Sequence, residues 1–456
     1  MDLQRPLYHF LPPKNWMNDP NGLIQLNGEY HMFYQHNPFA AIWGNMTWGH
    51  AVSKDMVHWE HLQFALYPDK SFDKDGVFSG CAVNDNGEMV ILYTGVKPEV
   101  QCLAFGGRDG RSFSKYEGNP VISAPPAGID AIGFRDPYVW KQDGIWYMVV
   151  GSGIRGVGGT LPLYKSIDLK RWDYIHPILV GDKDETGVMW ECPSIFKLGD
   201  KWVMVVSATP PISRTIYFVG TFEDFKFIPE YRGEIDLGGS LYAPQVFQDE
   251  RERQILFGWL KERRTVESQV SAGWAGVMTL PRVLTLGSNN QLEFAVAEEV
   301  SKLRSEQVCH KSVIVTDETS QLLEDVQGDS LEILAKITLD TADAFGLKVR
   351  CSPDGEEETL IIYDRQTCEL IVDGKHSSTD PSAFNEVRSA PHNLSEGEPL
   401  RLHIFVDRSV LEIFANDRTC LTVRIYPAKS DSIGVGLFAK GGTVNVQSLD
   451  IWRLSL

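Results

Sequence analysis

Paired cysteines, metal-ligand clusters, long apolar runs and helical periodicity are all scarce in this chain of 456 residues. Its seven cysteines are dispersed without a Cys-x-x-Cys pair, so reduced thiols are expected rather than a disulfide framework. No apolar run approaches the roughly 18 residues of a membrane-spanning helix. Met1-Asp2-Leu3-Gln4-Arg5-Pro6 lacks the basic-then-apolar order of an export signal. The expected location is cytoplasmic, or outside the cell if a leader has been removed. Basic residues number 43 against 61 acidic ones, and the net charge of −18 argues against nucleic acid or an anionic membrane as partner. A small neutral ligand suits that balance. No phosphate-cradling glycine loop occurs, and His58 and His61, although spaced like metal ligands, have no third ligand nearby. Neither cofactor nor metal is expected, and nothing sets the oligomeric state.

What fills the first 285 or so residues is aromatic and β-branched runs separated by Asn-Gly, Asp-Gly and Gly-Asp turns, the pattern of an all-β chain. One hairpin recurs. Asp136-Pro137-Tyr138-Val139-Trp140 with Ile145-Trp146-Tyr147-Met148-Val149-Val150 matches Glu191-Cys192-Pro193-Ser194-Ile195-Phe196 with Trp202-Val203-Met204-Val205-Val206. Further copies begin at Asp19-Pro20-Asn21-Gly22, Ser79-Gly80-Cys81 and Tyr242-Ala243-Pro244. A second signature, Ser53-Lys54-Asp55-Met56-Val57-His58-Trp59, returns as Ser166-Ile167-Asp168-Leu169-Lys170-Arg171-Trp172. A period of about 50 to 60 residues with two hairpins per unit is that of a propeller blade. A five-bladed β-propeller is predicted over residues 1–290. Residues 291–308, with Glu298, Glu299, Lys302 and Arg304 among apolar positions, read as a linker containing a short helix. Residues 309–456 return to strands and turns, predicting a C-terminal β-sandwich.

The propeller gives three distant acidic motifs a common destination. Trp16-Met17-Asn18-Asp19-Pro20-Asn21-Gly22, Arg135-Asp136-Pro137 and Glu191-Cys192-Pro193 all open a blade, and first strands line the central channel. Asp19, Asp136 and Glu191 are therefore expected to converge. Carboxylates so placed suit glycoside hydrolysis, which needs one ionised and one protonated carboxyl across the scissile bond. Alone, either short motif reads as a strand-capping turn; the seven-residue string, with Trp, Asn and Asp in one Pro/Gly-punctuated turn, has little reason to arise from packing.

With Tyr34-Gln35-His36-Asn37-Pro38, Trp43-Gly44, Trp48-Gly49-His50, Phe78-Ser79-Gly80, Gly273-Trp274-Ala275-Gly276, Leu411-Glu412-Ile413-Phe414 and Arg424-Ile425-Tyr426-Pro427 added, the chain resembles glycoside hydrolase family 32, the β-fructofuranosidases. The resemblance implies a propeller followed by a sandwich. It also implies Asp19 as nucleophile, Glu191 as general acid/base and Asp136 as the carboxylate that binds sugar hydroxyls, in a retaining mechanism with a covalent fructosyl intermediate. Asn18, Gln35, Trp43, Phe78, Ser79, Arg135 and Trp259 match positions lining the fructose pocket, with Arg135 placed to order and ionise Asp136. Most aromatics among 12 Trp and 22 Phe belong to blade packing, so only the motif context singles out those three. The implied activity is exo-hydrolysis of sucrose and short fructo-oligosaccharides. The alternatives are a sucrose-6-phosphate hydrolase, a fructosyltransferase, or a binding protein on an inactive scaffold, which would be expected to lose a carboxylate. Lys261, Arg263 and Arg264 form the one basic cluster close in sequence to a candidate pocket residue; read as a solvated turn, it ranks unphosphorylated substrates first.

Overall fold

The computed structural model describes residues 2–317 and 321–456, which are nearly all β. Five sheets follow one another in the N-terminal part, opening with strands Asn15–Leu26, Gly76–Asp85, Ala131–Gln142, Trp190–Leu198 and Leu241–Gln248. Each opening strand pairs with the next strand in sequence, so each sheet is an antiparallel meander. The hairpin turns are the expected ones. Asn27-Gly28, Asn86-Gly87 and Asp143-Gly144 all have positive φ at both residues, the geometry of a turn whose twist matches that of its strands. The Ser-x-Asp signature builds one loop twice: the carboxylate of Asp55 accepts from the amide of His58, and that of Asp168 from the amide of Arg171, while Trp59 and Trp172 close the loop onto carbonyls three residues back.

The opening strands of consecutive sheets pack side by side, and the fifth packs against the first. Trp274–Ala275, late in the fifth sheet's sequence, adds in parallel to the opening strand of the first sheet. This part of the chain is propeller-like. Residues 291–308, read from sequence as a linker with a helix, resolve differently. Leu292–Val296 is a strand of the fifth sheet, Glu298–Leu303 is one 3-10 helix, and Arg304 already begins a long strand. The expected short helix is there, carrying Glu298, Glu299 and Lys302, while the preceding Leu292–Val296 joins the fifth sheet by pairing with Arg282–Leu286.

Two six-stranded sheets make up the C-terminal part, and one apolar cluster including Ile333, Phe345, Ile361, Leu402, Ile413 and Leu437 draws on both. A second cluster joins the two parts of the chain, with Tyr8, Trp274, Leu280 and Leu284 packed among Phe405, Val410 and Phe414. Buried ions reinforce that junction. Arg282, fully inaccessible, donates to Glu412 at 2.6 Å and to Asp236 at 3.1 Å, and His9 lies 2.9 Å from Asp407 and 3.1 Å from Glu412. Burial opposes a charge on His9, but hydrogen bonds and attraction from both carboxylates outweigh it and raise its pKa. None of the described helices is long and apolar enough to cross a membrane, and all seven cysteines are unpaired.

Candidate active site

Each opening strand carries a β-bulge at the same place. The pairing slips between Met17 and Pro20, between Phe78 and Gly80, opposite Arg135 to Tyr138, between Glu191 and Ser194, and between Tyr242 and Gln245. The residues in the slips are Asp19, Ser79, Asp136, Cys192 and Ala243, and four of the five precede a proline. Proline suits a bulge because no ladder hydrogen bond asks for its missing N–H. Asp136, Cys192 and Ala243 take positive φ, an uncommon conformation for residues with a side chain. A bulge re-aims side chains, and here residues in or beside the five slips meet around one cavity.

The resulting cavity, about 390 Å³, is lined by Asn18, Asp19, Gln35, Trp43, Phe78, Ser79, Arg135, Asp136, Glu191, Tyr242 and Trp259. All ten residues singled out from sequence are in it. Tyr242 is the addition. In the repeat it occupies the place that Glu191 holds one sheet earlier, so aligning the copies points to it, but a tyrosine does not announce itself as a carboxylate does.

The three carboxylates have different partners. Asp19 accepts from Ser79 Oγ at 2.6 Å on one oxygen and from Asn18 Nδ2 at 3.0 Å on the other, while Trp16 Nε1 fixes the Asn18 amide at 2.8 Å. Burial raises the pKa of Asp19, the Ser79 and Asn18 hydrogen bonds hold it down, and the charge of Glu191 adds to the rise. Asp136 accepts from the Cys192 amide at 2.9 Å and is pushed up to about 7 by burial, with Arg135 opposing and Glu191 and Asp19 reinforcing the shift. The Cys192 thiol reaches Asp19 at 3.5 Å and Asp136 at 3.6 Å. Burial and these negative neighbours push its pKa up, so it stays a protonated donor spanning both carboxylates and not a nucleophile.

Glu191 is held from two sides. Arg135 donates to its Oε1 through Nη2 at 2.6 Å and Nε at 3.1 Å, and Tyr242 donates to its Oε2 at 2.7 Å. The expected service of Arg135 to Asp136 is thus secondary: the guanidinium is hydrogen-bonded to Glu191 and, at 2.6 Å, to Glu99. Both residues line the cavity, but adjacency in sequence does not make them hydrogen-bond partners. Trp259, directly across the hairpin from Tyr242, meets Trp16 edge-on at 5.7 Å. Trp43, 60% exposed, lies edge-on to Phe78 at 6.1 Å and leaves the cavity an aromatic rim. A sugar ring, apolar on one side and hydroxylated at its edge, matches such walls.

His58 and His61 have separate partners. His58 pairs with Asp55 at 3.1 Å, and the ring of His61 lies against Phe10. Among the described residues no group of His, Cys, Asp and Glu is placed to hold a metal.

The description "Glycosyl hydrolases family 32 N-terminal domain" matches residues 9–295, and "Glycosyl hydrolases family 32 C terminal" matches residues 299–453. The chain belongs to glycoside hydrolase family 32. It is a glycoside hydrolase. Over 98% of its length it is 38% identical to a sucrose-6-phosphate hydrolase of Zymomonas mobilis, covering 92% of that protein. Over 99% it is 36% identical to a levanase of Bacillus subtilis, of which 70% is matched. Among solved structures it resembles fructan 1-exohydrolase IIa from Cichorium intybus, with a TM-score of 0.91 at 27% identity over 100% of this chain and 98% of that one. A family 32 β-fructofuranosidase of Bombyx mori matches with a TM-score of 0.83 at 31% identity, over 99% of this chain and 94% of the other.

Proposed function

We propose that this family 32 enzyme is a retaining β-fructofuranosidase that releases terminal fructosyl units from sucrose and short fructo-oligosaccharides, with Asp19 as nucleophile and Glu191 as general acid/base. The carrying observation is the division of labour among three carboxylates in one cavity: Asp19 is hydrogen-bonded by Ser79 and Asn18, whereas Glu191 is gripped by Arg135 and Tyr242 on the facing sheets. Attack of Asp19 on the anomeric carbon forms a fructosyl ester as Glu191 gives its proton to the departing oxygen; Glu191 then takes a proton from water, which displaces Asp19. Asp136 binds ring hydroxyls. Asn18, Gln35, Ser79 and Arg135 supply further polar contacts, and Trp43, Phe78 and Trp259 cover apolar faces.

The same proposal includes a closed five-bladed propeller, supported by the fifth opening strand lying against the first and by the parallel addition of Trp274–Ala275. The two six-stranded sheets around a shared core are read as a β-sandwich, with the division between domains near the 3-10 helix Glu298–Leu303. A pocket on a closed axis favours exo-type release. Seven unpaired cysteines suit a reducing, cytoplasmic setting. Incubation with sucrose tests the activity: equal free fructose and glucose support hydrolysis, a fructose deficit means transfer to sugar, and no release means binding without catalysis.

A further inference from the structure

Each of the two groups that grip Glu191 is backed by a charged residue standing outside the cavity lining. Behind Tyr242 is Lys261, its ammonium 4.8 Å above the ring. The basic cluster read from sequence as a solvated turn is thus partly turned inward: Lys261 packs on that ring, and Arg264 is buried, paired with Glu262 at 2.8 Å and stacked over Trp274. Behind Arg135 is Glu99, which no sequence motif marks. Glu99 lies in the turn between strands Glu88–Val96 and Val100–Phe105 of the second sheet. One of its carboxylate oxygens accepts from Arg135 Nη1 at 2.6 Å and the other from the Phe134 amide at 2.5 Å. The same hairpin holds the opening strand of the third sheet twice more: Gln101 donates to the Phe134 carbonyl at 2.7 Å, and the Thr94 hydroxyl accepts from the Asp136 amide at 2.9 Å. Arg135 is therefore fixed through the backbone on both flanks, and through its side chain by Glu99.

A guanidinium carries its five N–H donors in one rigid plane, so anchoring one edge sets the direction of the others. Here Nη1 is committed to Glu99, which leaves Nε and Nη2 aimed at Glu191 Oε1. Burial opposes the charge of Arg135, but Glu191, Asp136 and Glu99 together raise its pKa, so it stays a cation bridging two carboxylates. Without Glu99 the plane is free to turn about the last bonds of the side chain, and Glu191 keeps one anchored partner, Tyr242, on its other oxygen. We propose that Glu99 is a positioning residue for the general acid/base: by fixing the plane of Arg135 it holds Glu191 at the angle from which its proton reaches the departing oxygen. This rests on Glu191 acting as acid/base. Glu99 itself stands outside the cavity lining and acts through Arg135. Its loss should therefore slow proton transfer and leave sugar binding nearly as it was.

The test compares full-length Glu99→Ala and Glu99→Gln with the parent on two reactions: sucrose hydrolysis, and β-fructosyl fluoride with azide, in which the leaving group needs no acid and the acceptor needs no base. The ratio of the two rates within one preparation does not depend on how much of the protein is folded. In Glu99→Ala that ratio should fall about tenfold against sucrose, through kcat, with KM for sucrose changed less than about threefold. Glu99→Gln, which keeps one oxygen to accept from Arg135, should recover part of the loss. An unchanged ratio, whether both rates fall together or neither falls, would overturn the proposal, and so would a rise in KM with kcat intact. Glu191→Ala measured alongside separates this proposal from the reading beneath it. A ratio that collapses in Glu191→Ala but holds in Glu99→Ala overturns the positioning role alone; a ratio that holds in Glu191→Ala removes both.

Discussion

At the scale of single residues, the cost of gathering three carboxylates is concentrated on Asp136. Its carboxyl is pushed up to about 7 by burial, with Glu191 and Asp19 adding to the effect against Arg135. A carboxyl whose folded pKa lies above its unfolded value of about 3.9 leaves stability untouched below pH 4, erodes it as pH rises, and reaches its full penalty above about 7. Asp136→Asn should therefore melt at the same temperature as the parent near pH 4 and increasingly higher from pH 5 to 7, with the gain level above that. A gain that shrinks with rising pH contradicts the assignment. Tyr242 makes a separate case. Tyr242→Phe removes one donor from Glu191 and leaves the ring that Lys261 covers. We expect kcat to fall roughly 10- to 100-fold with little change in KM. A purely structural tyrosine would lower stability and leave kcat of the folded enzyme in place.

At the scale of elements, the repeated bulge accounts for what was legible beforehand and what was not. Turn residues and alternating strands carry the hairpins in plain view, and the copies beginning at Asp19, Ser79, Asp136, Glu191 and Tyr242 put pocket residues at one place in every sheet. That is why ten residues scattered from Asn18 to Trp259 line one cavity. Tyr242 stands in the same repeat but does not declare itself from sequence, because a tyrosine does not signal acid–base chemistry, whereas Cys192, beside Glu191 in its motif, reads as a neighbour that tunes the site and not as a nucleophile. Side-chain pairings were beyond reach: Arg135 stands next to Asp136 in sequence yet bonds Glu191 and Glu99. The strand Leu292–Val296 is not legible because five residues are too few for a strand period to stand out from a helical one. The turns themselves can be tested. At Gly144, φ is 79° and an added Cβ meets no atom within 4 Å, so Gly144→Ala carries a purely conformational cost. Urea unfolding should show a loss of about 1–2 kcal/mol with kcat/KM unchanged; no loss would mean the turn relaxes to another geometry.

At the scale of the whole molecule, the C-terminal domain is bound to the catalytic one by a buried charge network as well as by apolar packing. Arg282 faces Asp236 from its own domain and Glu412 from the other, with no solvent to screen either. Truncating it leaves the inaccessible Asp236 with no cation and Glu412 with His9 alone, so Arg282→Ala should cost about 3–5 kcal/mol in chemical denaturation, and a loss below 1 kcal/mol would show the junction to be held by packing alone. The same junction brings Arg388 beside Lys261 and Arg263. All of this depends on where the covalent chemistry happens. The most direct measurement is mass spectrometry of Glu191→Gln mixed with a β-fructosyl fluoride, whose departure needs no acid and whose ester, lacking a base, should accumulate. The account predicts one added fructosyl unit on the peptide bearing Asp19; turnover with no adduct, or an adduct on the peptide bearing Asp136, would contradict it.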